Sequence, residues 1–182
     1  MNSLVKIILN IIPRSILTRL SFLLKPLIKI YLRGNKYVDP IDGSSFRKFL
    51  PYGYNNVREN ALSPSTFSLE RHRLLWLYLK NETDFFNKDL KVLHFAPEAA
   101  FLEKFKKLKN ISYDTIDLNS PLANIKADIC DLPLDDESYD FILCNHVLEH
   151  VIDDKKAMQE LYRVLKKDGI GTVSYTHLRA HE

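Results

Sequence analysis

The stretch from Asp128 to His150 constrains the fold of this chain more than any other part of the sequence. It opens with acidic turns, continues as a nearly unbroken apolar run from Tyr139 to Cys144, and ends in the polar pair Asn145 and His146. An apolar run of about 4–8 residues between turn signals predicts a strand buried on both faces, as in a parallel α/β sheet. Ligands of open α/β sheets bind beyond the carboxyl ends of such strands. The polar pair therefore predicts a ligand-binding edge.

Two earlier segments predict neighbouring strands of the same sheet. Residues 91–96 form a short apolar strand, and helical spacing follows from residue 98 to residue 109. Residues 111–118 alternate between polar and apolar side chains and end in the acid Asp117. An acid about twenty residues after the first turn suits two hydrogen bonds to ribose hydroxyls. The alternative role for Asp117 is an Asx turn with Asn119 and Ser120.

These segments, together with the helix that ends in ELYRVLKKDG, resemble class I S-adenosylmethionine (SAM) dependent methyltransferases of the branch labelled type 11. The resemblance covers roughly residues 91–169. It implies a Rossmann-like, doubly wound parallel sheet, of which the chain would hold the first four strands. It also implies SAM as cofactor and methyl transfer to a small-molecule or glycan-type acceptor. The cofactor contacts that it implies are His94, Ala96, Glu98, Asp117, Leu118, Asp128, Ile129 and Asn145.

The loop after the first strand departs from the resemblance. Most SAM enzymes have a glycine-rich turn there, whereas this chain has His-Phe-Ala-Pro-Glu-Ala, and Pro97 offers no N–H. It resembles a subgroup with Ala-Pro-Glu at this point. Glu98 then either pairs with the ammonium group of the cofactor or favours the positive end of the following helix.

Two histidines are the candidate catalytic residues. A general base is needed only when the methyl acceptor is a hydroxyl or a similar protonated group. His146 and His150 both follow the fourth predicted strand at its ligand-binding end, and His146 lies directly at the strand terminus. The alternative for both is ordinary hydrogen bonding at the start of a helix.

The first 34 residues predict a pair of basic amphipathic helices, broken near Pro13 and Pro26. No run reaches the roughly 18–20 uncharged residues that a membrane span needs. Such helices either lie on an anionic membrane surface or pack onto the protein body. Two cysteines without a secretory signal indicate a reducing compartment. We therefore expect a cytoplasmic protein, peripheral to the inner face of the membrane in the first case, and no nucleic-acid partner.

Residues 35–68 resemble a small zinc ribbon whose ligand positions have been replaced. The four cysteine positions of its two knuckles hold Asp39, Asp42, Ser63 and Thr66. Structural zinc sites depend on thiolate or imidazole ligands, and these oxygen ligands would hold zinc poorly. We expect a ribbon-shaped segment without a metal.

The sequence predicts four segments in all: 1–34, 35–68, 69–171 and 172–182. Residues after about Gly171 resemble translated adapter sequence, so the chain is expected to be a truncated and inactive fragment. A helix over residues 153–167 would leave one backbone edge of the fourth strand unpaired. Two alternative functions stay open: a non-catalytic SAM-like or membrane-surface adaptor, and an NAD-dependent oxidoreductase. The oxidoreductase is disfavoured because no Gly-x-Gly-x-x-Gly follows the first strand.

Overall fold

A computed structural model describes residues 14–53 and 56–174, with side chains described from residue 23 onward. The chain divides into two compact units, Met1–Tyr78 and Leu79–Glu182. The predicted domain boundary after residue 68 therefore lies upstream of the boundary between the units.

Among the described residues, the first unit contains two helices and two small antiparallel hairpins. Its elements are α1 (Arg14–Tyr31), β1 (Arg33–Val38), β2 (Ser45–Phe46), β3 (Leu50–Tyr52), β4 (Arg58–Leu62) and α2 (Glu70–Asn81), a helix that runs past the unit boundary. Strand β1 pairs with β2, and β3 pairs with β4. Leu32, Phe46 and Phe49 form a small buried cluster, and Ile28 of α1 packs against it.

Helix α1 corrects one prediction. The helix continues through Pro26 to Tyr31, so the predicted break near Pro26 is wrong. Proline removes one backbone donor and usually kinks a helix, but here contacts of Ile28 beyond the proline hold the last turn on the buried cluster. The predicted break near Pro13 lies outside the described residues.

The second unit is built on a five-stranded parallel sheet. Its elements are β5 (Leu90–Phe95), α3 (Ala99–Phe105), β6 (Ile111–Asp117), β7 (Ile125–Lys126), β8 (Tyr139–Asn145), a 3-10 helix (Leu148–His150), α4 (Asp154–Val164) and β9 (Leu165–Ser174). The strand order is β7-β6-β5-β8-β9, and every pair is parallel. This is the predicted α/β, Rossmann-like arrangement. The order reverses between β5 and β8, where such sheets bind their ligands.

Side chains from the two central strands alternate between two covered faces of the sheet. One face carries Leu93 and Ile142, which pack with Ala157, Leu161 and Val164 of α4. The other face carries an aromatic cluster in which the Phe85 ring lies 5.1 Å from that of Phe141 and 5.0 Å from that of Phe105. Because these strands are buried on both faces, their sequences are nearly continuous apolar runs.

Strand β9 corrects three related predictions. Helix α4 ends at Val164, because Leu165 is already extended, and not at residue 167. The following residues pair with β8 from Leu165 opposite Tyr139 to Ser174 opposite Asn145. The fourth strand therefore has a partner on the edge that was expected to be open, and the sheet has five strands.

The predicted non-native tail begins within β9. Residues 172–174 belong to this strand, residues 175–182 lie outside the described part, and the origin of the tail stays a prediction. Most of β9 is exposed or half-buried. Its polar sequence therefore carried no apolar signal from which a strand could be predicted.

The ion pair of Arg163 and Glu160 holds the acidic loop before β8 onto α4. Arg163 donates to the carbonyl oxygens of Leu132 and Leu134 at 3.0 and 2.7 Å. Glu160 accepts from the Leu132 N–H at 2.8 Å and from Arg163 at 2.7 Å. These bonds, chiefly those from Arg163, lower the pKa of Glu160 to about 2.

We predict that Glu160→Gln lowers the free energy of unfolding near neutral pH by about 1–3 kcal/mol, because a charge-assisted hydrogen bond is lost. The folded-state pKa of Glu160 lies below its ordinary value of 4.5. The stabilisation is therefore complete above that value and is lost as the pH falls from there toward about 2. Urea denaturation of both proteins at a series of pH values measures the difference. The exposed Glu103→Gln is the matched control, and a loss that stays constant down to about pH 3 would contradict the assignment.

Candidate active site

A cavity of about 500 Å³ opens at the carboxyl ends of β5, β6 and β8. This volume is within the usual range for small-molecule sites. Its walls are mostly apolar, with a few acids and histidines. The lining residues are Phe95, Ala96, Ile116, Asp117, Leu118, Ala127, Asp128, Ile129, Cys130, His146, Val147, His150, Val151, Ile152 and Asp153.

The structure brings most of the predicted site residues to this cavity. Ala96, Asp117, Leu118, Asp128, Ile129, His146 and His150 line it. They come from segments far apart in sequence, and the parallel register of the sheet places the ends of those segments side by side.

Asp117 at the end of β6 is oriented by the loop that follows it. Its Oδ1 accepts hydrogen bonds from the backbone N–H groups of Asn119 and Ser120, at 2.8 and 2.6 Å. The Asx turn that was considered as an alternative is therefore present. No residue in the described part of the chain donates to Oδ2, so the turn fixes the carboxylate while one oxygen stays available to a ligand.

Asp128 occupies a second acidic turn, beyond β7. Its Oδ1 accepts from the Cys130 N–H at 2.9 Å, and its carbonyl oxygen accepts from the Asp131 N–H at 3.0 Å. Ile129, between them, is 7% exposed and packs into the core below the cavity. The turn thus presents a carboxylate next to an apolar wall.

The cavity wall includes one cysteine, which the sequence did not single out as a site residue. Burial, followed by the charge of Asp128, raises the pKa of the Cys130 thiol. Burial also raises the pKa of Cys144 to about 12. Neither thiol forms a disulfide, and their pKa shifts disfavour the thiolate that a nucleophile requires.

Ala96 adopts a conformation that usually belongs to glycine. Its φ is +47°, and its N–H donates to the Ile116 carbonyl at 2.9 Å. A non-glycine residue in this region costs about 1–2 kcal/mol. The glycine-free loop therefore makes the left-handed turn despite its sequence, and it stores backbone strain at the cavity.

His146 also has positive φ, +56°, directly after β8. Its N–H donates to the Ser174 carbonyl at 3.0 Å, which ties it to the end of β9. Its ring Nδ1 lies 3.3 Å from Oε1 of Glu149, whose side chain is only 10% exposed. A carboxylate can only accept, so Nδ1 carries the hydrogen in this bond. Sequence reasoning missed Glu149, although its spacing of three residues from His146 was available as a signal.

Asn145 and two other predicted contacts do not line the cavity. The Asn145 Nδ2 is buried and has no hydrogen-bond acceptor among the described residues. His94 is fully buried and turned to the other face of the sheet, because side chains alternate along β5. Its Nδ1 lies 2.7 Å from the Tyr113 hydroxyl, in a cluster with Phe101.

Glu98 immediately precedes α3 and caps it without a side-chain hydrogen bond. Burial, with a smaller effect from the charge of Glu98, raises the pKa of Tyr113. The predicted pairing of Glu98 with a cofactor ammonium stays a prediction.

The hydrogen-bond acceptors and the apolar wall of the cavity fit an adenine nucleoside. Asp117 offers a free carboxylate oxygen at one strand end, and Asp128 with Ile129 offers a carboxylate beside an apolar surface at the next. The remaining wall is apolar enough to accept an aromatic ring, as ligand cavities usually are.

Comparison with known proteins decides the family. A family model described as a methyltransferase domain matches residues 83–173. The chain belongs to this family. The predicted type 11 methyltransferase class is confirmed, and with it SAM as the cofactor. No comparison supports the oxidoreductase alternative.

Curated relatives match this chain over short segments. A demethylmenaquinone methyltransferase from Clavibacter sepedonicus is 42% identical over 45 residues, which is 25% of this chain and 18% of the relative. The uncharacterized methyltransferase YcgJ from Bacillus subtilis is 47% identical over 38 residues, 21% of this chain and 15% of the relative. The matched segments thus span less than a fifth of either relative.

Solved structures of methyltransferases are also similar. A putative sarcosine dimethylglycine methyltransferase from Galdieria sulphuraria is 26% identical with a TM-score of 0.45, covering 57% of this chain and 48% of that one. A SAM-dependent methyltransferase from Aquifex aeolicus is 17% identical with a TM-score of 0.46, covering 57% and 62%.

The zinc-ribbon-like segment of the first unit brings its replaced positions together through hydrogen bonds. Asp39 is fully buried, and its Oδ2 accepts from the hydroxyls of Thr66 at 2.5 Å and Ser68 at 3.3 Å. Asp42 accepts from the Ser65 hydroxyl at 3.1 Å. Ser63 in turn lies 3.2 Å from the Ser65 hydroxyl. Direct hydrogen bonds therefore join the two knuckles.

Among the described residues no cluster of three His, Cys, Asp or Glu side chains could hold a metal ion. Asp39 has its carboxylate occupied on both oxygens, since Oδ1 accepts from the Ile41 N–H at 2.9 Å. The expectation that this segment carries no zinc stays a prediction, and the network gives it a physical basis.

We predict that Asp39→Ala lowers the free energy of unfolding by about 1–3 kcal/mol or more, because several buried donors lose their acceptor. EDTA should leave the melting temperature of the unchanged protein where it is. Thermal denaturation with and without EDTA, and elemental analysis of protein made without a His tag, measure both. The exposed Glu59→Ala serves as control, and one tightly held zinc per chain would contradict this account.

Proposed function

We propose that the cavity at the ends of β5, β6 and β8 binds SAM, and that the protein transfers a methyl group to a small-molecule or glycan-type acceptor. The observation that supports this most directly is the oriented carboxylate of Asp117, which keeps one oxygen free toward the cavity. The acidic turn at Asp128 lies on the same cavity and completes a nucleoside-binding pair.

Each residue would have a separate role in holding the cofactor. Asp117 would accept hydrogen bonds from the ribose hydroxyls, and Asp128 would accept from the exocyclic amine of the adenine. Ile129 would lie against the adenine ring. Ala96 adopts a left-handed backbone conformation at the end of β5. Glycine adopts this conformation readily and allows close approach of the backbone to a ligand. Cofactor binding by Asn145 stays a prediction, since its buried Nδ2 does not line the cavity.

When bound, SAM supplies an electrophilic methyl carbon and a good leaving group. The chain has to orient the acceptor and exclude water. Val147, Val151 and Ile152 line the cavity together with His146. An acceptor held among these side chains would be positioned for attack, and such positioning is the main catalytic term in direct displacement.

His146 is our candidate for the general base. With Nδ1 bonded to Glu149, its Nε2 is the nitrogen that can take a proton from an acceptor hydroxyl. Glu149 would act as a positioning residue, since it fixes the tautomer and stabilises the imidazolium. His150 lines the same cavity and is the second candidate.

Of the two acceptor classes, we propose the small molecule. One relative is named for demethylmenaquinone, a small molecule, which supports the small-molecule class over a glycan. The strain at Ala96 and the lack of glycine favour a second candidate function, a non-catalytic SAM-binding adaptor. Binding and turnover must therefore be measured separately.

We predict that the protein binds SAM or S-adenosylhomocysteine in preference to NAD, and that Asp117→Ala weakens this binding by about 1–3 kcal/mol, the value of a charged hydrogen bond. Isothermal titration calorimetry with all three ligands measures both effects. The control is Asp135→Ala, an exposed aspartate outside the cavity. Tighter binding of NAD, or equal losses in both variants, would contradict the proposal.

We predict that His146→Gln slows methyl transfer to hydroxyl acceptors by about 10²–10⁴-fold with little change in S-adenosylhomocysteine affinity, because a base acts on the reaction and not on cofactor binding. Glu149→Gln should cause a smaller loss. Radiolabel transfer from SAM to a panel of phenols and methyl glycosides provides the rates. Unchanged turnover in His146→Gln would remove it as a base. Binding without turnover on any acceptor in the panel would favour the adaptor.

A further inference from the structure

The last two turns of α1 expose a stripe of large apolar side chains. Leu23, Leu27, Ile30 and Tyr31 are 75%, 64%, 72% and 73% exposed. Their spacing places them on one face of the helix, because residues three and four apart are neighbours on a helix surface. We call these four residues the α1 stripe. Single exposed apolar residues are ordinary, but a contiguous row marks an interaction surface.

The opposite side of the same helix is already in use. Ile28 packs against the cluster of Leu32, Phe46 and Phe49. Leu32, which directly follows the helix, is 2% exposed. The helix is therefore seated on the first unit by this side, and the α1 stripe points away from that unit's small core.

The part of the sequence that contains α1 is rich in basic residues and poor in acidic ones. Residues 1–36 contain seven lysines and arginines and no acid. Residues 1–78 contain twelve basic and four acidic residues, whereas residues 79–182 contain fourteen basic and nineteen acidic residues. The positive charge of the protein is thus concentrated in the unit that carries the stripe.

Cations lie at the carboxyl end of the stripe. The Arg47 guanidinium lies 4.5 Å from the centre of the Tyr31 ring. Arg33 and Lys36 follow on β1, and both are exposed. Aromatic rings with adjacent cations are typical of segments at the level of lipid headgroups.

We propose that α1 lies flat on an anionic lipid surface, with the α1 stripe in the boundary between headgroups and acyl chains. Arg33, Lys36 and Arg47 would contact lipid phosphates. An amphipathic helix with a basic surround binds in this way through apolar burial and electrostatic attraction. Among the described helices none has the length and apolar character to cross a bilayer.

A lipid surface fits better than a second copy of this chain. Two copies that meet through their α1 stripes would bring the cations beside each stripe together, and like charges at a contact repel each other and weaken the association. An anionic surface neutralises the same cations.

Sedimentation of the full chain with vesicles tests the proposal. The vesicles contain phosphatidylcholine alone or an equal mixture of phosphatidylcholine and phosphatidylglycerol. We expect binding to the mixed vesicles that weakens as salt is raised, and little binding to phosphatidylcholine alone. The double variant Leu23→Ser and Leu27→Ser should lower the partition coefficient by at least about tenfold for each leucine. The double variant Arg33→Gln and Arg47→Gln should lower it by about fivefold for each arginine.

The matched control is Leu74→Ser. Leu74 is the same residue type, lies on helix α2 and is 70% exposed, but it is not part of the stripe. It should bind vesicles as the unchanged protein does, and circular dichroism of each variant checks that it is folded. Absence of binding to the mixed vesicles, or equal binding by the leucine double variant, would overturn the proposal. A dimer that only the leucine double variant abolishes, without vesicle binding, would overturn it in favour of a second copy.

Discussion

Parallel pairing of β5 with β8 is the constraint on which the rest of the second unit depends. The pairing sets Leu93 opposite Ile142 and Phe95 opposite Cys144, so the two strands end at the same level. Burial of both faces fixes this register, because a shift by one residue would exchange the aromatic cluster with the side chains that pack on α4. The loops that leave these strand ends carry Ala96 and His146, and both enter a left-handed conformation there. The sheet register therefore determines where the two strained loops lie, and these loops border the cavity.

Much of this arrangement could be predicted from the sequence, and the exceptions have physical causes. The buried strands are predictable because their sequences are apolar runs. Asp117 and Asp128 are recognisable because each is an acid at or just after the end of a strand, at the binding edge. Strand β9 was missed because its side chains are largely exposed, so the backbone pairs without an apolar pattern. His94 was assigned to the cofactor from its position in the sequence, but strand alternation turns its ring to the opposite face. Glu149 was missed because its significance comes from a contact with His146 and not from its residue type.

Hydrogen bonds take the place of an expected structural feature at two sites: of zinc ligation in the first unit, and of a glycine turn in the second. In the first unit, hydrogen bonds from Thr66 and Ser68 to the buried Asp39 join knuckles that resemble those of a zinc ribbon. Arg73 donates to the carbonyls of Ala61 and Ser68 beside this network. Burial lowers the pKa of Arg73, and the negative charge of Asp39 partly opposes this shift. In the second unit, a single hydrogen bond from Ala96 to Ile116 holds a turn that glycine would adopt without strain. At Asp39 the hydrogen bonds offset the cost of burying a charge. At Ala96 the hydrogen bond offsets the cost of a strained backbone conformation.

We expect the strand ends of the second unit to form an adenosyl-binding cavity. A crystal structure of the protein with S-adenosylhomocysteine tests this most directly. Density for the nucleoside is expected in the cavity, with the ribose hydroxyls bonded to the free oxygen of Asp117 and the adenine between Asp128 and Ile129. A ligand bound elsewhere, or a ribose that makes no contact with Asp117, would contradict it.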